Sequence, residues 1–181
     1  MEKHLSNRIN SLSESQTIAM SAKSREMKDK GIDVISLSLG EPDFNTPEFI
    51  KEAGIEAIKN NFTHYPPVPG YLELRQAISN KFKRDNNLSY SPSQIVVSTG
   101  AKQSLANVIL SLVNEGDEVI VPTPYWVSYI ELIKLAGGKP VFVSSSIDTE
   151  FKITPDQLEN AITDKSKLMI FSSPCNPSGA V

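Results

Sequence analysis

The sequence predicts an α/β fold built on a largely parallel sheet. From Ile95 onward, short apolar runs alternate with segments whose apolar residues recur every three or four positions. Turn-rich motifs follow the ends of those runs, where open α/β sheets bind their ligands.

The elements are read in chain order. Residues Ser13 to Lys30 form a helix: Ile18, Ala22, Arg25 and Asp29 alternate faces, and Gly31 supplies the C-terminal stop. Asp33 to Leu39 alternates apolar and polar positions and reads as a short strand. Gly40-Glu41-Pro42-Asp43-Phe44-Asn45 is a turn-rich loop in which Pro42 removes a backbone donor. Thr46-Pro47 opens a helix with a hydroxyl N-cap and proline at the first helical position, and Phe49, Ile50, Ala53, Ala57 and Ile58 form its buried stripe. His64 to Gly70 holds Pro66, Pro67 and Pro69 and is loop, and a helix carrying Leu72, Leu74, Ile78 and Phe82 follows. Ile95-Val96-Val97 is a strand. Ala101 to Asn114 is a helix with Leu105, Val108, Ile109, Leu112 and Val113 on one face. Glu118 to Val121, Pro140 to Ser144 and Leu168 to Phe171 are strands, separated by helices at Trp126–Ala136 and Pro155–Ile162.

Bulk properties narrow the functional classes. The 181 residues are enough for one sizeable core, and 39% hydrophobic with 22% charged residues is a globular composition. A net charge of −3 offers no basic surface for nucleic acid or an anionic membrane. Cys175 is the only cysteine, so neither an internal disulfide nor a thiolate zinc site forms; His4 and His64 lack metal-ligand spacing, and no metal is expected. MEKHLSNRIN lacks the apolar core of a signal peptide, and no apolar run nears the ~20 residues that span a bilayer. The expected location is the cytoplasm, where the Asn-x-Ser/Thr matches at Asn61 and Asn87 carry no meaning.

Five segments carry candidate chemistry. In Ser98-Thr99-Gly100-Ala101-Lys102-Gln103 a strand ends, a glycine permits close backbone approach and a helix begins, which is a phosphate-binding arrangement or an ordinary strand-to-helix turn. Pro124-Tyr125-Trp126 places the only tryptophan past a strand end, to cover a flat ligand ring or to pack into the core. In Ser173-Pro174-Cys175-Asn176-Pro177-Ser178-Gly179 the Asn176 amide is held between prolines, to donate to a ligand oxygen or to make a turn. Cys175, with no basic partner in sight, is a passive small residue. Gly40-Glu41-Pro42-Asp43-Phe44 brings backbone N–H groups close to a carboxylate or is a tight turn. Tyr65 offers a phenol to a phosphate oxygen or caps the core.

Together these segments, with Gly70 and Leu74-Arg75, Gly116-Asp117-Glu118-Val119-Ile120 and Gly137-Gly138, resemble the class I aminotransferases among the fold-type I pyridoxal-phosphate enzymes, most like the bacterial aspartate aminotransferase subgroup. The resemblance runs from about Leu5 to Val181. It implies the N-terminal part of that α/β/α fold: an arm at residues 1–14, part of a small domain at 15–46 and part of the large cofactor domain at 47–181. It implies pyridoxal 5′-phosphate as cofactor, with amino acids and 2-oxo acids as substrates in amino-acid metabolism and biosynthesis. A homodimer is implied as well.

Residue by residue, the resemblance assigns the cofactor phosphate to Gly100, Ala101 and Lys102, the pyridine ring to Trp126, the 3′-oxygen to Asn176, and the neighbouring subunit's phosphate to Tyr65. It assigns the substrate α-carboxylate to Gly40, with Trp126 and Asn176 beside the substrate. Ser15, Thr17 and Lys102 lie near a distal carboxylate, which favours an aspartate- or glutamate-type substrate. Cys175 stands where the family often has asparagine, a change of little expected effect because Asn-Pro-Ser-Gly follows.

The Schiff-base lysine, the pyridinium aspartate, the 3′-oxygen tyrosine and the α-carboxylate arginine of the family have no match in these residues. The expectation is therefore a piece of a longer transaminase, inactive alone, with no catalytic residue of its own. Alternatives are an aromatic aminotransferase or a carbon–sulfur lyase of the same fold, or a non-catalytic module keeping the phosphate cup. A reading frame continuing past Val181 into Ser-x-x-Lys favours an enzyme. No Gly-x-Gly-x-x-Gly or Gly-x-Ser-x-Gly supports a dinucleotide dehydrogenase or a serine hydrolase.

Overall fold

Val119, Ile120 and Val121 follow one another without a polar break, so the strand they form has to be covered on both faces. In the computed structural model, which describes residues 4–181, all three are buried. The elements in order are α1 (Asn7–Asn10), α2 (Gln16–Asp29), α3 (Glu48–Lys59), α4 (Leu72–Asn86), α5 (Ala101–Leu112), β1 (Glu118–Thr123), α6 (Ser128–Leu135), β2 (Lys139–Ser144), α7 (Pro155–Ala161) and β3 (Ser166–Met169). Among the described residues one sheet forms, in the order β2-β1-β3, with both pairings parallel. Helices α6 and α7 make the crossovers, giving the mixed α/β fold the alternation predicts.

The chain forms two compact units: residues up to Leu39 together with Gly100–Val181, and Gly40–Thr99. The first holds the main core. Ile109 and Val113 from α5 and its end, Val119 and Val121 from β1, Tyr129, Ile130 and Ile133 from α6, and Ile170 after β3 pack together. Each such side chain contributes about 1.5–3 kcal/mol of burial. Gly138 permits the close approach at the corner of this core. A Cβ there would lie 2.6 Å from Val113 Cγ1 and 3.3 Å from the Asp117 carbonyl oxygen.

Helix α2 ends as Gly31 forecasts. Its N–H donates to Lys28 O at 2.9 Å and that of Ile32 to Met27 O at 3.1 Å, closing the last turn. Ser15 caps the start by accepting from the Ile18 N–H at 3.4 Å.

Several expectations need correction. Asp33–Leu39 forms no strand: Ile35 and Leu37 are 86% and 91% exposed, because alternation stabilises a strand only beside a hydrogen-bonded neighbour. Ile95–Val97 is extended but joins no ladder. The Val97 N–H donates instead to Pro69 O at 3.0 Å, in the proline-rich loop. Pro47, not Thr46, takes the N-cap of α3, and no side chain caps that helix. The stripe of α3 is open to solvent, with Phe49 71% and Ile58 68% exposed and only Ala57 half-buried. On α4, Ile78 and Phe82 are half-buried while Leu72 and Leu74 are exposed. On α5 the buried face narrows to Ile109, with Leu105 half-buried and Val108 and Leu112 exposed. Helix α6 starts at Ser128 rather than Trp126, whose carbonyl accepts the Tyr129 N–H at 3.0 Å.

Candidate functional site

Helix α5 begins with no side-chain cap. Gly100 occupies the N-cap with φ 84° and ψ 162°, a backbone region nearly closed to other residues. A Cβ built there meets no atom within 4 Å, so the glycine serves conformation and the space beside it is open. The Gly100 carbonyl accepts from Gln103 and Ser104 at 3.2 and 3.4 Å. The N–H groups of Ala101 and Lys102 belong to the first turn, where no intrahelical acceptor exists and the helix dipole is positive. An anion fits this position chemically.

Trp126 lies in the loop after β1, half-buried, with its ring edge-on to Tyr129 at 5.7 Å between centroids. It packs against the core cluster, and the Lys102 ammonium sits over it, 4.9 Å from the ring centroid. Trp126 thus packs partly into the core while its ring carries the Lys102 ammonium. The loop at 172–180 neighbours the same strand end: Cys175 Sγ donates to the Pro124 carbonyl at 3.4 Å. That loop closes on itself through Gly179 N–H to Cys175 O at 2.7 Å and Cys175 N–H to Ala180 O at 2.8 Å. The Asn176 N–H donates to Ser172 Oγ at 3.2 Å, and the residue is exposed. The peptides Thr123-Pro124, Ser173-Pro174 and Asn176-Pro177 are cis.

A cavity of about 490 Å³ opens beside Lys102. Ser13, Glu14, Ser15 and Gln16 form one wall, and Tyr125 with the start of α6 forms another. Ser15 and Lys102 line the same cavity. Thr17, on the first turn of α2, is half-buried and is not among the lining residues. Glu131 reaches across: its Oε2 accepts from the Ser13 N–H at 2.8 Å and its Oε1 from Lys134 Nζ at 3.0 Å. Burial raises its pKa, but the Ser13 N–H and the Lys134 ammonium together hold it below the ordinary 4.5. Sequence reasoning missed Ser13 and Glu131; the only local signal was the Glu131–Lys134 spacing. A smaller cavity of about 250 Å³, lined by Pro122, Phe151, Phe171 and Cys175 among others, holds none of the predicted site residues.

Gly40 and Tyr65 belong to the other compact unit. Gly40 is exposed, with nothing within 4 Å of a built Cβ. Tyr65 is fully exposed. Among the described residues no group of acidic, histidine or cysteine side chains is arranged to hold a metal.

The sequence profile described as "Aminotransferase class I and II" matches residues 32–181. The chain belongs to this family. An aspartate aminotransferase of Bacillus sp. (strain YM-2) is 52% identical over 181 residues, which is all of this chain and 46% of that protein. An aspartate/prephenate aminotransferase of Nitrosomonas europaea is 50% identical over 98% of this chain and 45% of its own length. The solved aspartate aminotransferase of Thermus thermophilus with maleate superposes with a TM-score of 0.92 at 42% identity, covering 96% of this chain and 45% of that one. The fold is shared with these aminotransferases, and the chain spans under half the length of the relatives it matches.

Proposed function

We propose that this chain holds the phosphate and ring of pyridoxal 5′-phosphate in a transaminase that moves an amino group between an aspartate- or glutamate-type amino acid and a 2-oxo acid. The observation that carries this reading is the uncapped start of α5 at Gly100 beside the only tryptophan, with Lys102 bridging the two. The donor set fits the cofactor: amide N–H groups and an ammonium suit a phosphate, and an indole suits a flat heteroaromatic ring.

When bound, the cofactor supplies the electron sink for chemistry at the amino-acid α-carbon. The residues here bind and orient it. The amides of Ala101 and Lys102 anchor the phosphate, Trp126 covers one face of the ring, and the Asn176 amide donates to the 3′-oxygen. Lys102 is assigned to the anion side of the site and not to covalent attachment, consistent with its ammonium lying over the indole. Ser15 and Lys102 across one cavity support a dicarboxylic substrate, since a hydroxyl and an ammonium both donate to a carboxylate. Thr17 takes part through the same helix start. Maleate, the ligand named for the Thermus protein, is itself a dicarboxylate.

Gly40 receives the α-carboxylate and Tyr65 the phosphate of a second subunit. The full exposure of Tyr65 and the open apolar face of α3 agree with a homodimer. The division into an arm at 1–14, a small-domain part at 15–46 and a cofactor-domain part at 47–181 belongs to the same reading, as does a cytoplasmic location. Among the described residues no helix is long and apolar enough to cross a membrane. The test supplies the longer protein of which this chain is proposed to be part with pyridoxal phosphate and compares amino transfer to 2-oxoglutarate from aspartate, alanine and phenylalanine. Aspartate as the best donor is expected; preference for phenylalanine, or elimination from a cystathionine-like substrate without amino transfer, contradicts it.

A further inference from the structure

We infer that Glu131 is a positioning residue for substrate specificity, latching the start of α2 onto α6 so that Ser15 faces Lys102 across one cavity. This rests on the proposed transaminase reading for its substrate and on the hydrogen bonds themselves for its geometry. Ser13 lies between α1 and α2 and is exposed, and its N–H has no helical partner to find. The Glu131 carboxylate accepts it at 2.8 Å, two residues ahead of the Ser15 cap. A charge-assisted bond of this kind is shorter and stronger than a neutral one.

The second carboxylate oxygen explains why an acid is tolerable beside an anion site. Lys134 donates to it at 3.0 Å, and the two side chains are 28% and 35% exposed, so the pair is largely shielded and locally neutral. Around the cavity the remaining charges are Lys102, which attracts a carboxylate, and Glu14, which repels one, with the positive end of α2 at Gln16. The Glu131 carboxylate bonds Ser13 and Lys134, neither of them a predicted cofactor residue. Its effect on the reaction passes through the placement of Ser13 to Gln16.

The latch predicts a split between substrates. In the holoenzyme, Glu131→Ala frees the wall carrying Ser15 and raises KM for a dicarboxylic amino acid about tenfold, the change one partly shielded charge-assisted hydrogen bond supports. KM for alanine, which has no distal carboxylate, stays within about twofold, and kcat changes little. Glu131→Gln keeps an acceptor for the Ser13 N–H and restores most of the lost affinity. Amide exchange over residues 12–18, measured on the same proteins without substrate, accelerates in Glu131→Ala and returns toward the unmutated rate in Glu131→Gln. Equal KM changes for both substrates, an unchanged dicarboxylate KM in Glu131→Ala, or unchanged exchange would overturn the inference. If the longer unmutated protein, supplied with pyridoxal phosphate, transfers no amino group, the functional reading fails, and the exchange comparison alone decides the latch.

Discussion

Replacing Gly100 by alanine isolates the conformational requirement at the head of α5. The added methyl meets no atom within 4 Å, so packing contributes nothing to the outcome. What remains is the backbone: at φ 84° and ψ 162° a residue bearing a Cβ carries about 1–3 kcal/mol of strain. The chain has two ways to respond. It can keep the conformation, and unfolding free energy falls by that amount. It can instead rotate residue 100 to negative φ, which re-aims the amides of Ala101 and Lys102 and transfers the loss to phosphate binding. At 1.4 kcal/mol per tenfold, the second route weakens pyridoxal-phosphate affinity by about five- to hundredfold. The stability loss and the binding loss together therefore total at least about 1 kcal/mol. Urea unfolding followed by the fluorescence of the single tryptophan gives the first quantity, and titration with pyridoxal phosphate gives the second. A Gly100→Ala protein unchanged in both would refute the assignment of this glycine and of the amides it aims.

Further outcomes follow from the same geometry. Trp126→Ala is expected to weaken pyridoxal-phosphate binding about three- to tenfold, the worth of one ring stack, and Trp126→Phe to recover most of it; equilibrium dialysis measures both. Ile133→Ala, at a fully buried core position, lowers unfolding free energy by about 2–5 kcal/mol in urea melts. Gly138→Val forces a side chain into the space of Val113 and the Asp117 carbonyl, and lowers stability by more than Gly100→Ala does. The Glu131 carboxyl titrates below 4.5 in the folded chain, so its stabilising contribution is present above pH 4.5 and disappears as pH falls through the lowered value. Exchange of the Ser13 amide should therefore lose protection on acidification in the unmutated protein and show no such step in Glu131→Gln.

Most of the parallel sheet is legible in the sequence because its central strand is an unbroken apolar run and its crossover helix α7 carries its own cap. Thr154 accepts from the Gln157 N–H at 3.2 Å while the Gln157 side chain accepts from the Thr154 N–H at 2.8 Å, a reciprocal pair set by spacing alone. Asp33–Leu39 shows the opposite: alternation gives a period but no partner, and its apolar side chains remain in solvent. The α3 stripe fails for a related reason, since an amphipathic face states that it needs a covering layer and not which residues supply it.

The site is legible to the extent that its chemistry follows strand ends. Trp126 follows the end of β1, Gly100 and Lys102 open α5 after a run that joins no sheet, and the structure brings Lys102 to the indole. The Ser13–Glu131 hydrogen bond spans 118 positions and joins a backbone N–H to a carboxylate already explained by Lys134 as a helix-surface pair. No local pattern marks such a contact, because the donor is a main-chain group that every residue but proline possesses.

The most direct measurement is a comparison of pyridoxal 5′-phosphate with pyridoxal by quenching of Trp126 emission. The phosphorylated compound should quench at concentrations where the unphosphorylated one does not, and inorganic phosphate should compete. Equal quenching by the two, or none from either, would mean that the head of α5 and the indole beside it do not form the cofactor site.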